Sequence, residues 1–283
     1  MRNFRDLEMH IDIPDIFDLD HSDKYVLSVR VHSDGCSLAL YDPWQDGSYF
    51  FQEIPYNQKV SVVANFKDFF FENNFLSLPY KKLQIMSYSP TFTCVPSVMY
   101  EEKDKNKIFG FNYTRHVQKS LEQRLRSPEM HIIYDMEEEM YEFVHRSFLN
   151  PEFIHHVSPL ISFFNTRSRM GNTNKLIINL QRDSIDILCF CESDLVLVNN
   201  FLCKEPDDMI YYVLYIWKHL KLNQLKDIAI VTGLHGHKDF LMNSLKQYIK
   251  NIVPYNIVPE HHFFGVDTKQ VPFDQLILSL CEL

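Results

Sequence analysis

From Tyr25 onward the apolar residues fall in short runs separated by turn residues, the pattern of half-buried strands. Tyr25–Val31 is β-branched and apolar, and Cys36–Tyr41 returns after Asp34-Gly35. That dipeptide predicts a two-residue hairpin turn, in which both positions need φ > 0. A second turn is predicted at Gln45-Asp46-Gly47, and Ser48–Ile54 makes a third strand. The period then changes: Val63, Phe66 and Phe70 fall at i, i+3 and i+7, which predicts a helix within Val60–Phe75. Lys82–Ser87 and Met130–Tyr134 read as strands, Glu137–Phe148 as a helix, Phe153–His156 as a strand and Pro159–Arg167 as a closing helix.

Asn165–Thr173 reads as a linker, rich in Asn, Arg, Ser and Thr around Gly171. After it the pattern restarts. Leu176–Gln181, Ile185–Cys191 and Leu195–Leu202 predict three more strands. Pro206 opens a helix at its tolerated first position, and Asp207 and Asp208 face the positive end of its dipole. Met209, Val213, Ile216 and Leu220 form the buried stripe of that helix. Ile228–Thr232 is a strand stopped by Gly233. Leu241, Leu245, Tyr248 and Ile252 predict a further helix, followed by a strand at Asn256–Pro259 and a helix at Phe273–Leu280.

Each half therefore reads β-β-β-α-β-α-β-α, with a mixed five-stranded sheet in each. The halves also align in sequence: Arg30–Leu38 matches Asn179–Ile187, which sets Asp34 against Asp183. Met130–Tyr134 is matched to Asp227–Val231, and His155-His156 to His261-His262. An internal duplication is the expectation. The predicted boundaries are an acidic N-terminal extension over 1–24, a first half over 25–170 with an insertion at about 90–128, and a second half over 174–283. In the extension Ile11, Ile13 and Ile16 are expected to dock locally.

Three antiparallel strands followed by α-β-α-β on one sheet is a ribonuclease H-like arrangement, and two such halves resemble the actin-like ATPase superfamily. Through Phe92-Thr93-Cys94-Val95-Pro96-Ser97 and Ile154-His155-His156-Val157-Ser158-Pro159-Leu160-Ile161 the chain resembles, over nearly its whole length, an uncharacterised bacterial family with that duplicated fold. The resemblance implies a nucleotide cleft between the halves, built from an Asp-x-Gly-x-Ser/Thr turn in each and a Gly-Gly pair under the adenosine.

The residues depart from that pattern. Asp34 adjoins Gly35 directly, the turn at Asp183-Ser184 has no glycine, and Ile230-Val231-Thr232-Gly233-Leu234 keeps one glycine of two. The chain has only seven glycines in 283 residues, and no glycine-rich phosphate loop can be written from them. No cofactor is expected. The alternative is ATP with magnesium, held weakly around Asp34, Asp183, Thr232 and Gly233. A two-metal nuclease is excluded, because the first strands offer Val26, Ser28 and Arg30, or Ile177, Asn179 and Gln181, and no acid.

Charge and cysteines narrow the remaining classes. A net charge of −9 disfavours general binding to phosphate backbones. The basic residues Arg115, Lys119, Arg124 and Arg126 in the insertion read as a solvated helix face, with a local anionic partner as the alternative. The N-terminus lacks the apolar stretch of a signal peptide, and no apolar run reaches the ~20 residues of a membrane span. Six cysteines without an export signal read as free thiols in the cytoplasm. Cys189 and Cys191 share one strand face with Ile185 and Ile187 and read as core.

His235, His237 and Asp239 follow a strand at a spacing that could share a metal, with His261 or His262 as further donors, but Phe240 stands where a further His belongs. In the paired histidines one ring is expected to point inward and one outward, with a pH-sensitive contact between halves as the functional possibility. Phe69-Phe70-Phe71 cannot all face one core, so at least one must meet another part of the molecule or a partner. By subtraction, the sequence reads as a non-catalytic actin-like scaffold or protein-interaction module. An ATP-binding protein or phosphotransferase and a metal-dependent hydrolase at His235 and His237 are the alternatives.

Overall fold

A computed structural model describes residues 9–113, 119–169, 171, 173–233, 236–255 and 270–281. The strands and helices in chain order are β1 (Val26–His32), β2 (Gly35–Tyr41), β3 (Phe50–Pro55), α1 (Val62–Glu72), β4 (Lys82–Ser87), β5 (Phe92–Pro96), α2 (Lys105–Asn112), β6 (Lys119–Arg126), β7 (Glu129–Met136), α3 (Glu138–Ser147), β8 (Pro151–His155) and α4 (Val157–Ser168). They continue with β9 (Lys175–Leu180), β10 (Ser184–Cys191), β11 (Asp194–Leu202), α5 (Pro206–His219), β12 (Ile228–Gly233), α6 (Lys238–Leu245), β13 (Asn251–Pro254) and α7 (Phe273–Leu278).

Two five-stranded sheets share one plan. Sheet 1 runs β3-β2-β1-β4-β8 and sheet 2 runs β11-β10-β9-β12-β13. In each, the first three strands are antiparallel and the last two run parallel to the central one. Arg30 pairs with Ser37 across β1 and β2, as Asn179 pairs with Asp186 across β9 and β10. These are the positions that the sequence alignment sets against each other.

The helices form where capping and apolar stripes agree. Ser61 caps α1 by accepting from the Ala64 N–H at 3.2 Å. In α5 the Asp208 carboxylate accepts the N–H of Glu205 at 3.0 Å, Pro206 opens the first turn, and Met209, Val213 and Ile216 are buried. One face of sheet 2 packs on α5 and α6, through Ile185, Ile187, Cys189, Val213 and Leu241. Its other face meets α4 and α7, which lie side by side between the two sheets. Leu276 of α7 packs on Ala39 and Tyr49, and Leu278 packs on Met86 and Ile154, all in or beside sheet 1.

Several expectations are corrected. Met130–Tyr134 does not enter sheet 1; it lies in β7, the middle strand of a separate sheet ordered β5-β7-β6. The strand that stands parallel to β1, as β12 does to β9, is β4. The segment set apart from sheet 1 therefore extends through β7, beyond the predicted limit of 128. The basic stretch there is a strand, not a helix face. Arg124 and Arg126 share one side of β6 and Lys119 takes the other, its ammonium 4.6 Å from the Tyr141 ring centre. Arg115 lies outside the described residues.

The first hairpin turns at Ser33-Asp34, neither of which has positive φ. Gly35 is already in β2, and a Cβ there would meet the Ile54 carbonyl at 2.6 Å, so glycine serves strand approach rather than the turn. The helix from Leu241 stops at Leu245, and Ile252 belongs to β13; the strand expected at 256–259 lies outside the described residues. In the N-terminal segment Ile11 is buried together with Met9 and Phe17, whereas Ile16 is exposed. Asn73 ties this segment down, accepting from the Ile11 N–H at 2.8 Å and donating to the Met9 carbonyl at 2.7 Å. Of the three phenylalanines in α1, Phe69 is buried, Phe70 packs on Phe143 and Phe148, and Phe71 is 69% exposed.

Candidate functional site

The strand ends of the two sheets face each other across a cleft. Its cavity of about 390 Å³ is lined by Arg30, His32, Asp34 and Glu53 from the first half and by Gln181, Arg182 and Asp183 from the second, with Tyr88 and Phe273 between them. The structure thus brings Asp34 and Asp183 to one cavity. Thr232 and Gly233 do not line it. Thr232 is buried, and Gly233, at φ +85°, lies so close to β9 that a Cβ would meet the Leu180 carbonyl at 2.2 Å. Its backbone faces a strand rather than open space.

At the mouth, Arg182 reaches across to Asp34, and its other nitrogen lies 3.7 Å from Glu53. Asp34 also accepts from His32 Nδ1. Burial, with Arg30 and Arg182 adding repulsion, pulls His32 down to about 3, so this ring is neutral at physiological pH.

The floor is a continuous polar network. Arg30 donates to Asp274 Oδ2 through Nη2 at 2.9 Å and Nε at 3.2 Å, and to Gln181 Oε1 at 2.9 Å. Gln181 in turn donates to Asp274 at 3.1 Å and to Asp186 at 3.0 Å. Asp186 is fully buried in β10 and also accepts from Asn179 at 3.0 Å, Asn200 at 2.8 Å and His156 Nε2 at 3.0 Å. Burial alone would raise this carboxyl, but His156 and the amide donors outweigh it and hold it well below the usual carboxylate range. The Tyr88 hydroxyl meets Ser184, its ring lies 4.5 Å from that of His156, and the Arg30 guanidinium is 5.3 Å from the ring centre.

Both His155 and His156 are fully buried, against the expectation of one inward and one outward ring. The cause is position: His155 ends β8 and His156 sits at the start of α4, so strand alternation does not apply between them. His155 donates Nε2–H to the Ser89 carbonyl at 3.0 Å, and burial pushes its ring well below the ordinary histidine value. His156 makes the contact between halves. His261 and His262 lie outside the described residues.

Sequence reasoning passed over Asp186 and Asp274. A signal existed for the first: it is the one acid inside Ile185–Cys191, and a charge in a buried strand needs a partner. Of the proposed metal donors, His237 occupies the position just before α6 and Asp239 lies in its first turn, whereas His235 lies outside the described residues. Among the described residues no group of three His, Cys, Asp or Glu could hold a metal ion, and no helix is long and apolar enough to cross a membrane. The six cysteines are free, with Cys189 in the core of sheet 2 and Cys191 packed against it.

Comparison with curated protein sequences returns no match. Among solved structures, the chain is similar to a Bacteroides thetaiotaomicron VPI-5482 protein described as having an actin-like ATPase fold and unknown function. That likeness has 32% identity and a TM-score of 0.82 over 94% of this chain and 99% of that one. A type IV pilus biogenesis complex, PilM–PilN, gives 12% identity and a TM-score of 0.48 over 90% of this chain and 96% of that one. Residues 14–252 match the family described as protein of unknown function, DUF3822, and the chain belongs to that family. Its fold is that of the actin-like ATPases.

Proposed function

From this family and fold as premises, we propose that the chain is a non-catalytic actin-like module that works by binding another protein, its cleft serving as a joint between the halves. One observation carries the reading: both arginines of the cleft are already paired, Arg30 with Asp274 and Arg182 with Asp34. With Arg182 counted against Asp34, the mouth still carries a net negative charge from Asp183 and from Glu53, which lies at the edge of the same arginine. A nucleotide triphosphate would bring further negative charge to these carboxylates without an unpaired arginine to receive it. The buried Thr232 and the packed Gly233 support the same reading, since neither offers the open backbone that a phosphate or adenosine needs.

The second reading, an ATP-binding phosphotransferase, is favoured by one feature: Asp34 and Asp183 do line one cavity of a size that holds small ligands. A thermal-shift titration of the whole chain with ATP and magnesium separates the two. Ligand at about 100 times Kd adds about 2.7 kcal/mol, which for a chain of this size is roughly 5–10 °C. The joint reading expects no resolvable shift, and a shift of that size overturns it.

A further inference from the structure

Two sheet edges lie open to one groove. β5 ends the three-stranded sheet and β11 ends sheet 2, and a cavity of about 630 Å³ is lined by both. We propose that this groove takes an extended, uncharged segment of a partner protein, which adds as a strand between β5 and β11. The proposal rests on the protein-binding reading above and names the partner's chemistry.

The backbone phase supports it. The Cys203 N–H bonds the Asp183 carbonyl at 2.9 Å, which fixes residues 201 and 199 as facing β10 and residues 200 and 198 as facing away. The outward N–H of Asn200 is taken by its neighbour Asn199 at 3.0 Å, which leaves the N–H and C=O of Val198 pointing into the groove. On the opposite wall the Tyr113 hydroxyl bonds both the N–H and the C=O of Phe92, at 3.2 and 2.8 Å, so those groups face outward and Cys94 does likewise. Each edge segment is about five residues long, roughly 17 Å of strand, with Cys94 on β5 and Val198 on β11 as the outward-facing pairing positions.

Open edges are ordinarily blunted by charge, proline or a bulge. Along Leu195-Val196-Leu197-Val198-Asn199 there is neither charge nor proline; the pairing with β10 shifts register at Val196, which is 49% exposed, and is regular at Val198 and Asn199. Among the described residues none that lines the groove bears a formal charge, and burial holds the Cys94 thiol up at about 12, so it stays neutral. Charged side chains of a partner would lose solvation here without a counterpart, whereas alternating apolar side chains would be covered. Main-chain hydrogen bonds would give affinity and the apolar walls selectivity.

The test is selection of a displayed library of random peptides, about ten residues long, on the full chain. Recovered peptides are then measured by fluorescence polarisation. The proposal expects uncharged peptides with alternating apolar residues. Val198→Pro removes an N–H that the ladder to β10 does not use, and should weaken binding at least about tenfold, whereas Val198→Thr retains it. Val196→Glu puts a charge on the wall and should weaken binding similarly, which serves if the proline variant melts early. Recovery of no peptide, or binding unmoved by both Val198→Pro and Val196→Glu, overturns the groove. Neither result touches the nucleotide titration, so the two readings fail separately.

Discussion

In sheet 1 the charge on the strand is a cation, Arg30, and the first turn of α7 supplies the anion, Asp274. In sheet 2 the strand carries the anion, Asp186, and His156 at the start of α4 supplies the donor. The equivalent junction is thus built with opposite polarity in the two halves. A carboxylate in a first helical turn sits with the helix dipole, whereas the ring at the start of α4 serves as a donor to the strand carboxylate. The difference shows in the company each acid keeps. Asp186 draws three amide side chains, Asn179, Gln181 and Asn200, around the His156 contact. Asp274 is met by Arg30 and Gln181, and its second oxygen accepts the Gln275 N–H at 2.8 Å. Gln181 touches both acids and joins the two junctions into one.

The largest effect should come from the sheet 2 junction. Asp186→Ala leaves His156 and Asn179 without their acceptor and takes one acceptor from Gln181 and Asn200, and should cost about 3–5 kcal/mol in urea unfolding. A loss below about 1 kcal/mol would mean that the network contributes little. Arg30→Met leaves Asp274 with its neutral donors and should cost about 3 kcal/mol. The double variants sharpen the contrast. Arg30→Met with Asp274→Leu should be more stable than Arg30→Met alone, because an apolar pair can replace a buried ion pair. His156→Leu with Asp186→Leu should show no such recovery, since the buried amides stay orphaned. Equal recovery in both would erase the distinction drawn between the halves.

Acid gives the most graded effect. His32 and His155 are held below the ordinary histidine value, so the unfolded chain binds more protons than the native one below about pH 6.5. Stability should therefore fall as pH drops through that value, by at most about 1.4 kcal/mol per pH unit for each ring. The Asp186 contribution is present above about pH 3.9 and is lost as pH falls further, toward its depressed native value. Unfolding of His32→Gln and His155→Gln across pH 6.5 to 4 checks this. Slopes unchanged from the parent in both variants would sink it.

Much of the fold was legible because periodicity and turn chemistry agree locally. Pro206, the two aspartates after it and the stripe of Met209, Val213 and Ile216 specify α5 without reference to anything distant. Pairing partners were not legible in the same way. Lys82–Ser87 and Met130–Tyr134 are both short apolar runs, and only tertiary pairing puts the first beside β1 and the second in a separate sheet. The residues that join the halves were hidden for the same reason. Arg30 and Asp274 each look like an isolated charge, and the pairing of Asp34 with Arg182 crosses from one half to the other. The mouth of the cleft, by contrast, was half visible: the alignment of two hairpin turns was enough to bring Asp34 and Asp183 together.

The position of α7 sets a schedule for biosynthesis. Arg30 and Asp274 are separated by 244 positions in the chain. Synthesis at about 5–20 residues per second puts roughly 12–50 s between them on the ribosome. Throughout that interval β1 and β2 exist, but the guanidinium of Arg30 has no carboxylate, and Ser28, Ser37 and Ala39 lack the helix that covers them. The nascent first half must therefore wait with a wet, unfinished face. That face is mixed: Ser28, Arg30 and Ser37 can be left in water during the delay, whereas Ala39, Tyr49, Met86 and Ile154 wait uncovered for α7.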